Sequence, residues 1–306
     1  MRRFLGGGSH RAPVDLWHEA AWGGETHLPM THLTAFGCGY VATALAGRLA
    51  RRGVAATGTT RSPVIAAKLK QLGIASLLWP GGEMAPAAHG TWLVSVPPDD
   101  QGCPIWRAFA RQAEGANWVG YLSTTGVYGD LRGGWAFEET PRTPKSPEAA
   151  NRAIAEDQWR ETGAHIFRLP GIYGPGRSQL QRVVEPNVRR IVKPDQVFSR
   201  VHRDDIAAAL EASIDRPQPG CIYNICDDEP AAADVVLVYA ARLLGLPPPP
   251  IVAFEDANLS PAAQRFYSEC KRVSNARAKA GLGWRPEFPS YREGLADCLT
   301  AIDAST

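Results

Sequence analysis

A glycine-rich hexapeptide early in the chain has the residue types and spacing of a phosphate-binding turn. The residues Gly37-Cys38-Gly39-Tyr40-Val41-Ala42 form a G-x-G-x-x-A pattern between a strand-like run and a helix-like run. The first two glycines allow a tight turn close to a pyrophosphate, and the N–H groups at the helix N-terminus face the phosphates. We therefore predict that Gly37, Gly39, Tyr40, Val41 and Ala42 bind a dinucleotide. A glycine turn without a ligand is the alternative.

The end of the second strand-like run favours NADP(H) over NAD. Sites specific for NAD usually carry an acid there, which holds the ribose 2′-OH. This chain has Gly58-Thr59-Thr60-Arg61 at that place and no carboxylate. A guanidinium pairs well with phosphate, so Thr60 and Arg61 are predicted to hold a 2′-phosphate. The alternative is that Arg61 only begins the next surface helix.

Two later strand ends carry further candidate residues. The run from Tyr121 to Gly129, YLSTTGVYG, is typical of a strand that ends in consecutive hydroxyl groups. Ligands bind beyond the carboxyl ends of parallel strands, so these hydroxyls fall where a substrate binds. Val96-Pro97-Pro98 follows an earlier strand, and the two prolines lack N–H donors. We expect this segment to make van der Waals contact with the ribose and nicotinamide.

These motifs need strands and helices in alternation, and the chain from Met30 onward has that pattern. Mostly apolar strand-like runs alternate with runs of helical spacing as far as Leu169. Such strands are buried on both faces, which predicts a parallel sheet covered by helices. The predicted fold class is α/β, a doubly wound parallel sheet (Rossmann fold) over 30–175. Residues 176–306 are predicted to form mostly a small substrate-side lobe, with segments returning to the main sheet.

Composition excludes several other classes of protein. The 306 residues carry 33 Lys plus Arg against 31 Asp plus Glu, a net charge of +2, whereas nucleic-acid-binding domains usually have a basic excess. No apolar run reaches the length of a membrane span. The six cysteines contain no C-x-x-C pair, which predicts reduced thiols and no zinc site. We expect a cytoplasmic monomer or homodimer with a small-molecule partner, and neither a nucleic-acid nor a membrane partner.

Residues 1–29 have a different character from the rest of the chain. They are rich in Gly, His and Pro and lack the apolar segment of a secretory signal. Met30 stands directly before the first strand-like run. Residues 1–29 are predicted to be a poorly ordered extension, or to precede the real start at Met30.

Several blocks resemble the extended short-chain dehydrogenases/reductases, the relatives of nucleotide-sugar epimerases and dehydratases. YLSTTGVYGD resembles the strand-end motif of that subgroup, and FRLPGIYGPG, from Phe167, its next block. SRVHRDDIAAAL, from Ser199, and YNICDDEP, from Tyr223, are similar to its later blocks. The resemblance runs in order from Met30 to near Leu295. It implies an NAD(P)-binding Rossmann fold of the epimerase/dehydratase type.

The resemblance also implies roles for single residues. Thr124 falls where the family has the Ser or Thr that hydrogen-bonds the substrate's reacting oxygen. Pro170 and Ile172, in the second block, would border the cofactor. The implied cofactor is NADP(H), with NAD the less favoured choice.

The catalytic Tyr-x-x-x-Lys pair of the family is missing. In that family the lysine lies four residues before a Glu and the tyrosine four residues before the lysine. Taking Glu156 as that Glu puts the lysine position at Arg152 and the tyrosine position at Glu148. Arg152 is expected to hold a ribose hydroxyl but not to donate a proton, since a guanidinium stays charged. Glu148, Tyr128, Tyr173 or a water are left as candidate proton donors. Glu148 can donate a proton only if burial shifts its pKa; the alternative is that it lies in an exposed first helical turn. For Tyr128 and Tyr173 the alternative is a packing role.

In lacking this pair the chain resembles the atypical short-chain dehydrogenase-like proteins, which keep the cofactor fold and lose the catalytic pair. The run from Arg265 to Asn275 also resembles a signature of that branch. Its cationic and hydroxyl groups suit an anionic or sugar-like ligand; a solvated charged loop is the alternative. His202 beside Asp204 and Asp205 is not expected to bind a metal, and one of these aspartates is expected to be a helix N-cap.

Two hypotheses about function follow from these residues. The first is an NADP(H)-dependent oxidoreductase, or epimerase-like enzyme, acting on a carbonyl or hydroxyl compound, with Thr124 fixing the substrate oxygen. The second is a non-catalytic NADP(H)-binding sensor or scaffold, which the loss of the Tyr and Lys favours.

Overall fold

The computed structural model of the chain describes residues 30, 32–80, 86–87 and 89–303. The extension predicted at 1–29 lies outside the described residues. Within them the strands are β1 (His32–Phe36), β2 (Ala55–Thr60), β3 (Ala75–Leu78), β4 (Thr91–Val94), β5 (Trp118–Thr124), β6 (Trp135–Ala136), β7 (His165–Leu169), β8 (Gly171–Tyr173), β9 (Arg190–Val192), β10 (Arg200–His202), β11 (Ile222–Asn224), β12 (Ile251–Ala253) and β13 (Arg272–Val273).

The helices alternate with these strands, most regularly in the first half of the chain. They are α1 (Tyr40–Ala50), α2 (Pro63–Gln71), α3 (Pro104–Ala113), α4 (Pro147–Glu161), α5 (Gln179–Val183), α6 (Arg203–Asp215), α7 (Ala233–Leu243), α8 (Pro261–Tyr267), α9 (Ala276–Leu282) and α10 (Tyr291–Asp303). Among the described helices, none is both long and apolar enough to cross a membrane.

Seven of the strands form one parallel sheet. Their order is β11-β7-β5-β4-β1-β2-β3, and every neighbouring pair is parallel. The chain runs outward from β1 in one direction through β2 and β3, and in the other through β4, β5, β7 and β11. This confirms the predicted doubly wound sheet. A reversal of strand order between β1 and β4 opens a crevice at the carboxyl edge, where ligands of such folds bind.

Helices cover both faces of the sheet. Successive side chains of a strand point to opposite faces, so each strand contributes to a core on each side. Leu33 of β1 packs on one face in a cluster with Leu45 and Leu49 of α1. Phe36 belongs to the cluster on the other face, which includes Trp159 of α4. All five side chains are fully buried, so the strand ends are held by a core on each side.

The second half of the chain contributes both to this sheet and to a separate cluster. β11 pairs with β7 at one edge of the sheet, and α6 lies against α1, where Arg48 and Glu211 form an ion pair at 2.8 Å. By contrast, α5, α7 and α10 pack around their own apolar cluster, with Leu180, Val236 and Tyr291 at its centre. The division at residue 175 stays a prediction.

Candidate functional site

Contacts around the glycine turn leave little room for a Cβ atom at Gly37 or Gly58. Gly37 has a φ of +81°, which side chains with a Cβ rarely adopt, and its N–H donates to Thr59 Oγ1 at 2.8 Å. A Cβ atom at Gly58 would lie 2.4 Å from the Cβ of Cys38. Helix α1 begins at Tyr40 without a side-chain cap. Its first N–H groups are therefore available to an anion.

A cleft of about 810 Å³ opens over this turn at the carboxyl edge of the sheet. We call it the glycine-turn cleft. The close approach of backbone around the turn fits a pyrophosphate, since a Cβ atom at Gly37 would lie 3.1 Å from Ser95 Oγ. Most of the residues predicted to bind the cofactor line this cleft: Gly37, Gly39, Tyr40, Val41, Thr60, Arg61, Val96, Pro97, Arg152 and Ile172.

Three predicted cofactor residues lie outside the cleft lining. Ala42 is buried with the sheet in the core, because the third position of the motif packs the helix against the strand. Pro98 follows the lining residues Val96 and Pro97 but is not one of them. Pro170 lines the neighbouring pocket instead. These three are therefore not in the lining of the cleft, and their contact with a cofactor stays a prediction.

The outer end of the cleft is polar and has no carboxylate at the end of β2. Arg61 is exposed there, and Thr60 Oγ1 accepts a hydrogen bond from the Ser62 N–H at 3.2 Å. The hydroxyl of Thr59 is buried at the glycine turn. One cation and one accessible hydroxyl thus remain for the ribose end of a ligand, a composition that suits a phosphate.

Several further residues line the cleft although no sequence motif predicted them. Trp79 and Pro80 follow β3, and Ser95 follows β4. Asp99 also lines it and forms an ion pair with Arg107 at 2.6 Å. They reach the cleft from separate strand ends, so the signal that places them is the strand order and not a local pattern.

A second cavity, of about 530 Å³, adjoins the cleft at the end of β5. We call it the strand-end pocket. Thr124, the last residue of β5, lines it, and its Oγ1 accepts a hydrogen bond from the Gly126 N–H at 3.1 Å. The hydroxyl therefore keeps its own proton for donation to a substrate oxygen. Arg152 lines both cavities.

Arg152 is fixed in place by the end of β5. Its Nη1 donates to the carbonyl oxygen of Leu122, and the guanidinium lies 5.7 Å from the centre of the Tyr121 ring. Among the described residues, no carboxylate lies within 4.0 Å of it. The side chain is thus anchored by backbone and retains donors for ligands in the two cavities, which fits the predicted contact with a ribose hydroxyl.

Glu148 does not meet the condition set for a proton donor. It lies in the exposed first turn of α4, after the N-cap Ser146. Its pKa is lowered by hydrogen bonds from its own backbone N–H and from Ser146, with a smaller contribution from Arg265. The carboxyl group is therefore ionised at neutral pH and has no proton to give, although it does line the strand-end pocket.

The two candidate tyrosines are also unsuited to proton donation. Tyr128 is fully buried and donates its hydroxyl proton to Asn224 Oδ1 at 2.7 Å while it accepts from Arg168 at 2.9 Å. Burial raises its pKa. Tyr173 lines neither cavity described above, its hydroxyl faces the carbonyl oxygen of Ser290, and burial raises its pKa as well. Both are packing residues in this structure.

A buried polar network fixes the end of β5 from behind. Ser123 Oγ donates to Glu156 Oε1 at 2.6 Å, and Arg168 Nη2 donates to Glu156 Oε2 at 2.7 Å. Arg168 also holds the hydroxyl of Tyr128. Because Glu156 and Arg152 are one helical turn apart on α4, the same network positions the helix that carries Arg152.

The charged run from Arg265 to Asn275 is partly built into the fold. Lys271 is 8% exposed, and the Cys270 N–H donates to Asp130 Oδ1 at 2.8 Å. Arg265 and Glu269 line the strand-end pocket with Lys271. The alternative of a solvated loop is therefore wrong for Lys271 and holds only for exposed positions such as Arg265.

His202 is the N-cap of α6, a role expected for one of the two aspartates that follow it. Its Nδ1 accepts a hydrogen bond from the Asp204 N–H at 3.3 Å, while Asp205 accepts from backbone N–H groups of a distant loop. Burial lowers the pKa of His202 to about 4, so the ring is neutral, and its proton is on Nε2 because Nδ1 accepts the Asp204 N–H. Nε2 lies near ligand atoms of Asp297 and Cys298, and the expectation that His202 binds no metal stays a prediction.

Comparisons with known proteins agree with this architecture. No protein-family model matches the chain. A solved structure, described as a functionally unknown conserved protein from Silicibacter pomeroyi, is 46% identical, with a TM-score of 0.85 over 89% of this chain and 99% of the other. A structure of dTDP-glucose 4,6-dehydratase from Bacillus anthracis in complex with NAD shares the fold at 14% identity, with a TM-score of 0.70 over 90% of this chain and 97% of the other.

A curated relative is described as the 3-diazoavenalumate denitrifying reductase of a Streptomyces species. It is 30% identical over 177 residues, which are 52% of this chain and 57% of that protein. The chain thus spans little more than half of this relative's length.

Proposed function

We propose that this chain is an NADP(H)-dependent oxidoreductase or epimerase-like enzyme of the atypical extended short-chain dehydrogenase/reductase type, the epimerase/dehydratase-like Rossmann proteins without the Tyr-x-x-x-Lys pair. Its substrate would be a small carbonyl or hydroxyl compound. The reductase named for the Streptomyces relative and the NAD bound to the Bacillus anthracis dehydratase support a nicotinamide cofactor and redox chemistry.

One observation carries the proposal: the two cavities meet at Arg152. The glycine-turn cleft runs from Arg61 to that guanidinium, and the strand-end pocket begins there with Thr124 close by. A dinucleotide lying along the cleft would therefore bring its reactive end to the mouth of the pocket.

The chain's own residues would bind and orient the reactants. When bound, a reduced nicotinamide supplies a hydride to the substrate. Arg152 holds a ribose hydroxyl from its anchored position, and Thr124 donates its hydroxyl proton in a hydrogen bond to the substrate oxygen. The preference for NADP(H) is supported by Arg61 and Thr60, which offer a 2′-phosphate a cation and a hydroxyl without a repelling carboxylate.

A calorimetric titration of the purified protein with NADPH, NADH and NADP⁺ tests the proposal. We expect the Arg61→Ala variant to bind NADPH roughly ten- to a hundredfold more weakly, because a charged hydrogen-bonded pair is lost. NADH binding should stay unchanged. Arg111→Ala, which removes an exposed arginine of α3, is the matched control. Absence of binding of every dinucleotide would reject the proposal.

A second candidate function is a non-catalytic NADP(H) sensor or scaffold. The observation that favours it is the absence of the family's phenol and amine from positions 148 and 152. The two candidates separate in a screen of aldehydes and ketones with NADPH. Turnover that Thr124→Ala abolishes favours the enzyme; tight NADPH binding without turnover favours the sensor.

A further inference from the structure

The strand-end pocket has few groups that hold a transferable proton. Five ionisable side chains line it: Glu148, Arg152, Arg265, Glu269 and Lys271. The two guanidinium groups stay charged, and Glu148 is an exposed, ionised carboxylate. Glu269 Oε2 accepts a hydrogen bond from Lys271 Nζ at 2.5 Å, which marks it as the anionic partner. Among the ionisable groups of this lining, Lys271 alone carries a proton that it can release.

Two hydrogen bonds hold Lys271 against the loop that follows β5. Its Nζ donates to the carbonyl oxygen of Gly129 at 2.6 Å as well as to Glu269. Gly129 follows the short 3₁₀ turn that begins directly after Thr124. An ammonium has three N–H donors, and these two contacts use two of them. One N–H is therefore left for a ligand in the pocket that Lys271 and Thr124 share.

Backbone hydrogen bonds join the segment that carries Lys271 to the loop after Thr124. The Leu131 and Gly133 N–H groups donate to the carbonyl oxygen of Cys270 at 3.2 and 2.8 Å. Strand β13 pairs with β6 immediately afterwards. A lysine whose ammonium is already held by two hydrogen bonds loses less side-chain entropy when it binds a ligand than a free surface lysine does.

We propose that Lys271, positioned by Glu269, is the proton donor that replaces the missing phenol, and that the pocket takes a ligand with an electron-rich oxygen between Lys271 and Thr124. This inference rests on the proposed function. As a hydride adds to the carbonyl carbon, the C=O π pair moves to oxygen and forms an O–H bond with a proton from Lys271 Nζ. The N–H bonding pair stays on nitrogen, and solvent reprotonates the amine. The carbonyl compound is reduced and the reduced nicotinamide is oxidised.

The direction of this proton transfer follows from the basicity of an alkoxide. An alkoxide is a far stronger base than an amine, so proton transfer from Lys271 runs downhill once negative charge develops on the oxygen. General acid catalysis of this kind contributes roughly 10²–10⁴-fold to a rate. A guanidinium at the same place would keep the charge and the hydrogen bond but would not release its proton.

Benzoate serves as the probe of the oxygen site, because its carboxylate resembles the developing alkoxide; neutral benzamide is the comparison ligand. We expect the wild type to bind benzoate more tightly than benzamide, with and without NADP⁺. Lys271→Met should weaken benzoate binding at least tenfold and leave NADP⁺ binding unchanged. Lys279→Met is the matched control, since Lys279 also has an acidic partner, Asp228 at 2.5 Å, but lies outside the pocket.

Turnover gives a second, independent readout. For any carbonyl compound that the wild type reduces, both Lys271→Met and Lys271→Arg should lower kcat at least a hundredfold. Lys271→Arg should retain benzoate binding, which also guards against a Lys271→Met variant that fails to fold. Equal benzoate affinity in the wild type and Lys271→Met, no preference of the wild type for benzoate over benzamide, or an unchanged kcat in Lys271→Arg would each overturn the proposal. A failure of NADP⁺ to bind would instead count against the proposed function alone.

Discussion

The glycine-turn cleft and the strand-end pocket share an edge of one sheet but are built in different ways. The cleft is shaped mainly by backbone: a turn at Gly37 and the ends of neighbouring strands, with Arg61 close by in sequence. The pocket is assembled from side chains that lie far apart in the chain, from Thr124 through Arg152 to Lys271. The glycine turn of the cleft is encoded locally, whereas the pocket depends on the whole fold.

This difference has a practical consequence for mutations. A change in the network behind β5 should disturb the pocket and the stability of the protein while the turn keeps its shape. A change at the turn should disturb ligand binding in the cleft and leave the network intact. Substitutions can therefore separate the two regions.

The largest effect is expected from Arg168→Met, on the pocket side. The substitution leaves the fully buried carboxylate of Glu156 without its bidentate partner, and breaking a buried pair in this way costs about 3–5 kcal/mol. The free energy of unfolding, measured by urea denaturation, should fall by that amount. NADPH affinity of the protein that remains folded should fall less than in Arg61→Ala, because the glycine turn makes no contact with Arg168 and the network acts on the cleft only through Ser123 and Arg152.

Arg142→Met is the matched control for that experiment. Arg142 also contacts Glu156, at 3.3 Å, but its side chain is 25% exposed and its closer partner is Asp157. Its loss should cost about 1 kcal/mol or less. Equal losses in the two variants would mean that Arg168 does not hold the network.

An effect of intermediate size comes from the framework that both regions share. His165 of β7 is buried, donates from Nδ1 to the Val119 carbonyl oxygen at 3.2 Å, and accepts the Gln218 N–H at 2.8 Å through Nε2. Burial lowers its pKa to about 4. The unfolded chain therefore takes up a proton below about pH 6.5, whereas the folded protein does so only near pH 4, and stability is lost as the pH falls through this window.

The advantage of the wild type over His165→Gln should therefore shrink by about 3 kcal/mol between pH 7.5 and pH 4. Urea denaturation of both proteins across this range measures the difference, in which other titrating groups largely cancel. A difference that stays constant with pH would show that the imidazole is not held neutral. Unfolding at low pH should abolish ligand binding in the glycine-turn cleft and in the strand-end pocket together, since β5 and β7 support both.

The smallest change in stability, and the sharpest test of the cleft, is expected from Gly58→Ala. The added Cβ would collide with the Cβ of Cys38, and overpacking of this kind costs about 1–3 kcal/mol. NADPH affinity should fall at least about tenfold, because the turn must shift. Gly47→Ala is the control: no atom lies within 4 Å of the new Cβ in α1, so stability should rise by about 0.5–1 kcal/mol. Unchanged NADPH affinity in Gly58→Ala would show that the turn tolerates the shift.

The sequence predicted those features that depend on neighbouring residues. The alternation of strands and helices, the parallel sheet and the lining of the cleft by Gly37, Val41 and Arg61 follow from local spacing. The position of Thr124 at the end of β5 follows in the same way. Backbone geometry at a glycine turn is set within a few residues, so a short pattern is enough to place it.

The roles that depend on distant contacts were not predicted. Tyr128 was a candidate proton donor until the structure placed its hydroxyl between Asn224 and Arg168, residues on two other strands. Lys271 lies in the run from Arg265 to Asn275, whose cationic groups suited an anionic ligand, but its burial was not predicted, because that burial depends on hydrogen bonds with a loop some 140 positions earlier in the chain. Side-chain exposure and partners of this kind are properties of the folded chain and leave no local signal.

Arg152 borders both cavities, which links their occupancy thermodynamically. A ligand in the cleft that draws on this guanidinium alters the field and the free donors that the pocket presents, and a ligand in the pocket acts on the cleft in return. Around such a binding cycle the coupling free energy is the same whichever ligand enters first. If a cofactor strengthens the binding of an anion in the pocket by some factor, that anion must strengthen the binding of the cofactor by the same factor.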